Sequence, residues 1–371
     1  MKRGGQLIST DSFPYLPMDN KTPQELWEEY CAQELVALSP ILKQLGYNLE
    51  AEQPHLGGER YLMQAVTTKS GKKLVLLGHR TSDKRRVVVK ATRDPKGTEE
   101  LQHERACREI LQKINFAYQA FSSPEELLFT RKSGFTITTQ EFIEQEKPFL
   151  ERPTKEQFTL ALKAFKAQES AHATTYRHLK LITKVFPTVH AKDYLAMSQK
   201  LSLPAPALQF LTENQEMIEQ YCGFLTHIDF VPHNFRIKNG NIYLLDHSSL
   251  RFGNKYEGWA RFLNFMTLYN PELEEALTQY VRDNRTAEEV LSLKCMRVYR
   301  LGEIIWYYQN TLSKSSGDLL ELNRARVIFW SLVLASILKD EKLSSHVREE
   351  YIKNRDELRS DAEKCRQSGL H

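Results

Sequence analysis

Asn239-Gly240 constrains this chain more than any other pair of residues in it. Both residues tolerate positive φ, and such a pair between two apolar runs is the strongest short-range sign of a tight β-hairpin. The runs belong to "LTHIDFVPHNFRIKNGNIYLLDHSSL", residues 225–250. If Lys238 pairs with Asn241, Asn234 falls opposite Leu245, one residue from Asp246. Neighbouring strands lie about 5 Å apart, so an amide oxygen and a carboxylate meet at the mouth of the hairpin. That setting suits a shared hard cation with oxygen ligands. Asp229 lies five residues before Asn234, on the loop feeding the same strand, and can present a second carboxylate to the same space.

Taken singly, these side chains are the sort that cap turns and make local hydrogen bonds. Together they form H-x-D-x-x-x-x-N, a tight hairpin, and an Asp directly after an apolar strand. That combination matches the catalytic loop and metal-binding Asp of kinases. His227, His233 and His247 lack the helical i, i+4 pairing or Cys partners of a zinc site. His227 reads as a packed residue holding the loop, and the other two as bystanders.

The 371 residues are enough for two lobes, each with its own core. A hydrophobic content of 41% with 26% charged residues is that of a soluble globular protein, and a net charge of +4 argues poorly for nucleic acid. The five cysteines are widely spaced with no C-x-x-C pair, which excludes a disulfide framework or zinc ribbon and suggests a reducing cytoplasm. "MKRGGQLISTDSFPYLP" lacks the apolar core of a signal peptide. "VIFWSLVLASIL" (327–338) is too short to span a bilayer and reads as a buried helix.

Along the chain, residues 22–47 show a Thr cap, a following Pro and helical periodicity, with a break expected at Pro40. "RYLMQAVTT", "KKLVLLGHR" and "RRVVVKAT" predict an antiparallel meander over roughly 60–92. A helix over 98–121 and a strand over 134–143 follow, and helical patterns dominate beyond Pro148. The expected organisation is a helical extension (1–55), a β-rich lobe (56–147) and a helical lobe (148–371), an α+β fold with its hinge near 141–150.

Lys90 ends a β-branched run of the kind that places a Lys at the edge of a cleft, although strand-end lysines are common. On the next helix Glu104 shares a face with Leu101, Cys107 and Leu111, whereas Glu109 goes with Arg105 and Lys113. An inward carboxylate is costly unless paired, so Lys90 and Glu104 are expected to form an ion pair. "TTKSGKK" (67–73) is either a phosphate-covering loop or an ordinary hairpin turn, and with no G-x-G-x-x-G or Walker A pattern P-loop NTPases are excluded.

These residues resemble the aminoglycoside phosphotransferase and choline kinase group, small-molecule kinases with a protein-kinase-like fold. The likeness lies in "HIDFVPHN", "IYLLDHSS" and "FGNKYEGWARFLNF", with a looser echo in "AFKAQESAHATTY" (164–176). It is closest over about 225–265, moderate over 60–145 and absent over 1–55. The resemblance implies that Asp229 is the catalytic base or orienter, that Asn234 and Asp246 bind Mg²⁺, and that Lys90 contacts the phosphates of ATP. It also implies that the segment after Thr139 passes the adenine. Ile228 stands where the group has a small glycine, His247-Ser248 follows the metal Asp, and Glu257 stands near a downstream Asp. D-F-G and A-P-E are missing, which argues against a protein kinase.

The resulting expectation is an ATP- and Mg²⁺-dependent kinase of a small hydroxylated acceptor, such as an aminoglycoside, choline-like amine or sugar, with no membrane or nucleic-acid partner. The alternatives are a catalytically silent nucleotide-binding scaffold of the same fold and an interaction module built on "SDKRR" (82–86), a run more often a solvated turn.

Overall fold

Alternating β-branched runs in the first half of the chain assemble into one sheet, and the helical patterns after it form a separate mass. The computed structural model describes residues 23–57, 71–113, 121–170 and 184–368. Its first elements are α1 (Pro23–Gln44), β1 (Tyr47–Leu49), β2 (Leu74–Arg80), β3 (Arg86–Thr92), α2 (Pro95–Lys113), β4 (Phe121–Ser122), β5 (Glu126–Lys132) and β6 (Phe135–Glu141). Strands β1-β2-β3-β6-β5 form an antiparallel sheet in that order. One face of it, including Leu74, Leu76, Val87, Val89 and Ile137, packs against Trp27, Leu38, Ile41 and Leu42 of α1. The other face carries Lys90, opposite Val75 on β2 and Thr138 on β6.

Two expectations change here. Helix α1 continues through Pro40 instead of breaking there. A helical Pro removes the hydrogen bond to the carbonyl four residues earlier. That carbonyl belongs to Val36, whose side chain is 78% exposed, so it lies on the solvent side of the helix. Burial of Leu38, Ile41 and Leu42 on the other side holds the helix together. The segment before residue 56 is also more than an extension, since β1 joins the sheet and α1 covers it. The predicted run 60–68, and residues 67–70 of the loop after it, lie outside the described residues. Helix α2 is described as far as Lys113, and Phe121, expected at its end, belongs to β4.

The C-terminal part comprises α3 (Thr154–Glu169), α4 (Ala191–Lys200), α5 (Ala205–Glu213), α6 (Gln215–Gln220), β7 (Phe224–His227), β8 (Phe235–Lys238), β9 (Asn241–Leu244) and β10 (Leu250–Gly253). It continues with α7 (Glu257–Tyr269), α8 (Pro271–Asn284), α9 (Ala287–Leu312), α10 (Gly317–Leu338), α11 (Ser345–Leu358) and α12 (Asp361–Ser368). Trp259, Phe262, Phe230 and Leu244 lie in its core, which Cys107, Ile110 and Leu111 of α2 also join. Helix α2 therefore packs into the helical core while meeting the sheet. The run 327–338 is not buried all round: Phe329, Trp330, Val333 and Leu334 face inward, whereas Ile328 is 62% and Leu332 43% exposed. No described helix is long and apolar enough to cross a membrane.

Gly71 ties β2 to the start of α2. A Cβ there would lie 2.0 Å from the backbone nitrogen of Gly97, and its own N–H donates to Glu100 Oε1 at 2.8 Å. Because the obstruction is backbone, the contact cannot be relieved by turning a side chain. Gly71→Ala is expected to destabilise the fold by about 1–3 kcal/mol, read as a lowered thermal midpoint; an unchanged midpoint would contradict this packing.

Candidate active site

The hairpin adopts the register that Asn239-Gly240 implies. Lys238 pairs with Asn241, the turn residues have φ of 53° and 69°, and the Leu245 N–H donates to the Asn234 carbonyl at 2.9 Å. The two strands are extended by β4, which runs parallel to β9 with Phe121 beside Ile242. At the mouth, Asn234 is buried at 7% exposure. Its amide nitrogen donates to the Asp229 carbonyl at 2.8 Å and to Asp229 Oδ2 at 2.7 Å. Both partners can only accept, so the amide must present nitrogen to them and keep its oxygen available elsewhere.

Asp229 has a second partner that sequence reasoning did not foresee. Arg261 Nε, from α7, donates to Asp229 Oδ1 at 2.8 Å. Burial disfavours the charged carboxylate, but Arg261, Arg300 and His227 outweigh it and hold its pKa well below the ordinary carboxylate range. The signal for Arg261 was its setting: an Arg within the apolar stretch "GWARFLNF" needs an acid partner.

Asp246 is anchored by its own loop. Its Oδ1 accepts from the Ser248 N–H at 3.0 Å and hydroxyl at 2.6 Å, and its Oδ2 from the Ser249 hydroxyl at 2.7 Å. Burial raises its pKa, yet His227, the two hydroxyls and Lys90 together lower it, so this carboxylate too stays ionised. Fully buried His227 lies with Nε2 2.6 Å from the Asp246 carbonyl. A carbonyl only accepts, so Nε2 carries the proton and bridges the Asp229 loop to the Asp246 loop.

Lys90 pairs with Glu104, with side chains only 14% and 8% exposed. Glu109 instead meets Arg105 at 3.3 Å and is 49% exposed. Lys90 Nζ also lies 3.4 Å from the Leu245 carbonyl, next to Asp246. The sheet's lysine therefore reaches the hairpin mouth, 155 residues farther along the sequence.

His247, set aside in the sequence as a bystander, is 1% exposed, with Nε2 2.9 Å from the Ser123 hydroxyl. Burial, Lys90, Arg108 and His227 push its pKa down to about 3 against the pull of Asp246, so the imidazole stays neutral. Ile228 has no positive φ, and its N–H donates to the Ser249 carbonyl at 2.9 Å. The backbone there needs no glycine. Glu257 is fully buried; it accepts from the Tyr194 hydroxyl at 2.7 Å and pairs with Arg251 and, at 3.6 Å, with Arg300. It is a buried ion centre beneath β7 and β10.

Among the described residues, no three His, Cys, Asp or Glu side chains gather to hold a metal. Magnesium asks for less, because it is usually held by one or two carboxylates together with substrate phosphates and water. Asp246, kept ionised, and the available oxygen of Asn234 are hard oxygen donors of that type.

A small antiparallel sheet, a helix supplying a Glu to its Lys, and a hairpin mouth set on a helical body make up the two-lobed, protein-kinase-like fold of the aminoglycoside and macrolide phosphotransferases. The chain is similar to a macrolide 2′-phosphotransferase type I, at 11% identity and TM-score 0.52, covering 80% of this chain and 97% of that one. It is likewise similar to a thermostable mutant of aminoglycoside phosphotransferase APH(4)-Ia in ternary complex with AMP-PNP and hygromycin B, at 13% identity and TM-score 0.50, covering 76% and 97%. No family model matches the chain, and no curated protein matches it.

Proposed function

We propose that the protein is a phosphotransferase that moves the γ-phosphoryl group of ATP to a hydroxyl of a small molecule. The observation that carries this reading is the meeting of Lys90 with the Leu245 carbonyl, next to Asp246, at 3.4 Å while Asp229 and Asn234 are hydrogen-bonded to each other at the same hairpin mouth. A cation for phosphates, oxygen donors for a metal and a carboxylate for an acceptor hydroxyl then share one cleft. The fold likeness to enzymes described as phosphotransferases supports the same reading.

In this proposal Lys90, fixed by Glu104, binds the nucleotide phosphates, and the segment after Thr139 runs past the base. Asn234 and Asp246 hold magnesium, which when bound neutralises phosphate charge. Asp229 accepts the hydrogen bond of the acceptor hydroxyl. Its depressed pKa makes it a weak base, so it acts chiefly by orienting the hydroxyl and takes the proton late. A loose phosphoryl-transfer transition state tolerates this, because positioning and electrostatics dominate it. Arg261 keeps the carboxylate aimed.

The metal assignment is tested at Asp246. Asp246→Asn keeps the size of the residue, which lies just beyond the end of β9 and is partly exposed, but removes the charge. Calorimetry is expected to show Mg·ATP affinity lowered by at least about tenfold, with the thermal midpoint close to wild type. Unchanged affinity would remove Asp246 from the metal site.

A further inference from the structure

A cavity of about 560 Å³ opens beside Asp229 and Asn234, walled by α7, α9, α10 and the C-terminal helices. Its charge lining is unusual for a site built to receive amines. Among the described residues it holds four guanidinium groups, from Arg261, Arg300, Arg326 and Arg359, against three carboxylates, from Asp229, Glu303 and Glu363. Asp229 pairs with Arg261, and Glu303 with Arg300. An incoming ammonium group would find no surplus negative charge and would lose hydration near fixed cations.

An aromatic cage is the other way to hold a quaternary ammonium. Tyr307, Tyr308, Trp330 and Tyr351 do line the cavity. However, a guanidinium already sits over Tyr308, with Arg326 Cζ 5.0 Å from the ring centroid, and Tyr351 is stacked on Phe329 at 4.2 Å. The aromatic wall is left to meet flat apolar surface.

We propose that this cavity binds a hydroxylated oxyanion, a molecule with a carboxylate or phosphate, a hydroxyl and a flat apolar part, and that it rejects polyamines and choline-like amines. The proposal rests on the phosphotransfer reading for the direction of the hydroxyl toward Asp229. Guanidinium groups bind carboxylate and phosphate in a forked, charge-assisted geometry, which suits Arg326 as the chief specificity residue.

The test uses the full chain saturated with AMP-PNP and Mg²⁺, so that anions do not report on the nucleotide site. Calorimetry compares 4-(hydroxymethyl)benzoate and 4-(hydroxymethyl)phenyl phosphate with kanamycin and choline. At least one anion is expected to bind at least about tenfold more tightly than either amine, the carboxylate or phosphate arm identifying the group. Arg326→Met should weaken that binding by at least about tenfold, and Arg326→Lys should restore only part of it, because an ammonium keeps the charge and loses the fork. Tighter binding of kanamycin or choline, no binding of either anion, or anion binding indifferent to Arg326→Met would each overturn the proposal. Labelled Mg·ATP then separates the two readings. An anion that binds but receives no phosphoryl group counts against phosphotransfer and leaves the ligand class standing; transfer to kanamycin does the reverse.

Discussion

Asp229→Asn is expected to bind Mg·ATP almost as the wild type does and to lose at least about a hundredfold in turnover, since a positioned proton acceptor is worth about two to four orders of magnitude. The substitution keeps the shape and one oxygen for Arg261 but sets an amide nitrogen against that of Asn234. Turnover must be measured with a verified acceptor, because background hydrolysis of ATP in water does not report on hydroxyl activation. A variant as active as wild type would end the assignment of Asp229. The pH profile gives a companion reading. The folded-state pKa of Asp229 lies below its unfolded value, so the stability it contributes is complete above the ordinary carboxylate pKa of about 3.9 and is lost as pH falls through the folded value. Ionisation of Asp229 should therefore produce no acid limb in the wild-type rate above about pH 4.

Lys90→Met is expected to cost about two to three orders of magnitude in turnover, the range for losing one preorganised electrostatic contact to a reacting group. It also leaves Glu104 charged and buried, which by itself destabilises by about 3–5 kcal/mol. The two effects separate in the double variant with Glu104→Leu. That protein should regain much of its thermal stability, because no unpaired carboxylate remains, while turnover stays low. If the double variant recovered activity along with stability, Lys90 would be serving the fold and not the phosphates.

How far these features could be read from the sequence depended on the range of the interaction. The hairpin register was legible because Asn239-Gly240 admits positive φ at both turn positions and so sets every later pairing. Glu104 was legible because helix phase is a local property: one face carries Leu101 and Cys107 and the other carries Arg105. The Asp229–Arg261 contact spans 32 residues and His247–Ser123 spans 124, and no local pattern encodes such partners. Strand β5 escaped notice even though Ser133 and Gly134, with φ of 51° and 82°, mark a turn before β6. Its side chains are nearly all half-buried, so it lacks the two-residue alternation that betrays a strand with one wet face. Pro40 misled because its local cost is outweighed by burial against a sheet whose sequence lies farther along.

Arg300 belongs to two structures at once. One end of its reach is Glu257, sealed beneath β7 and β10, and the other is the wall of the cavity beside Asp229. A lineage drifting toward a new acceptor could not replace Arg300 freely, since Glu257 would lose one of its two cations. Arg326 donates to Asn323 of its own helix at 2.8 Å and lies over the Tyr308 ring. Change in this cavity is thus restrained along α9, which is held still by the ions it helps to balance. That wall of the cavity is fastened to the foundations of the fold.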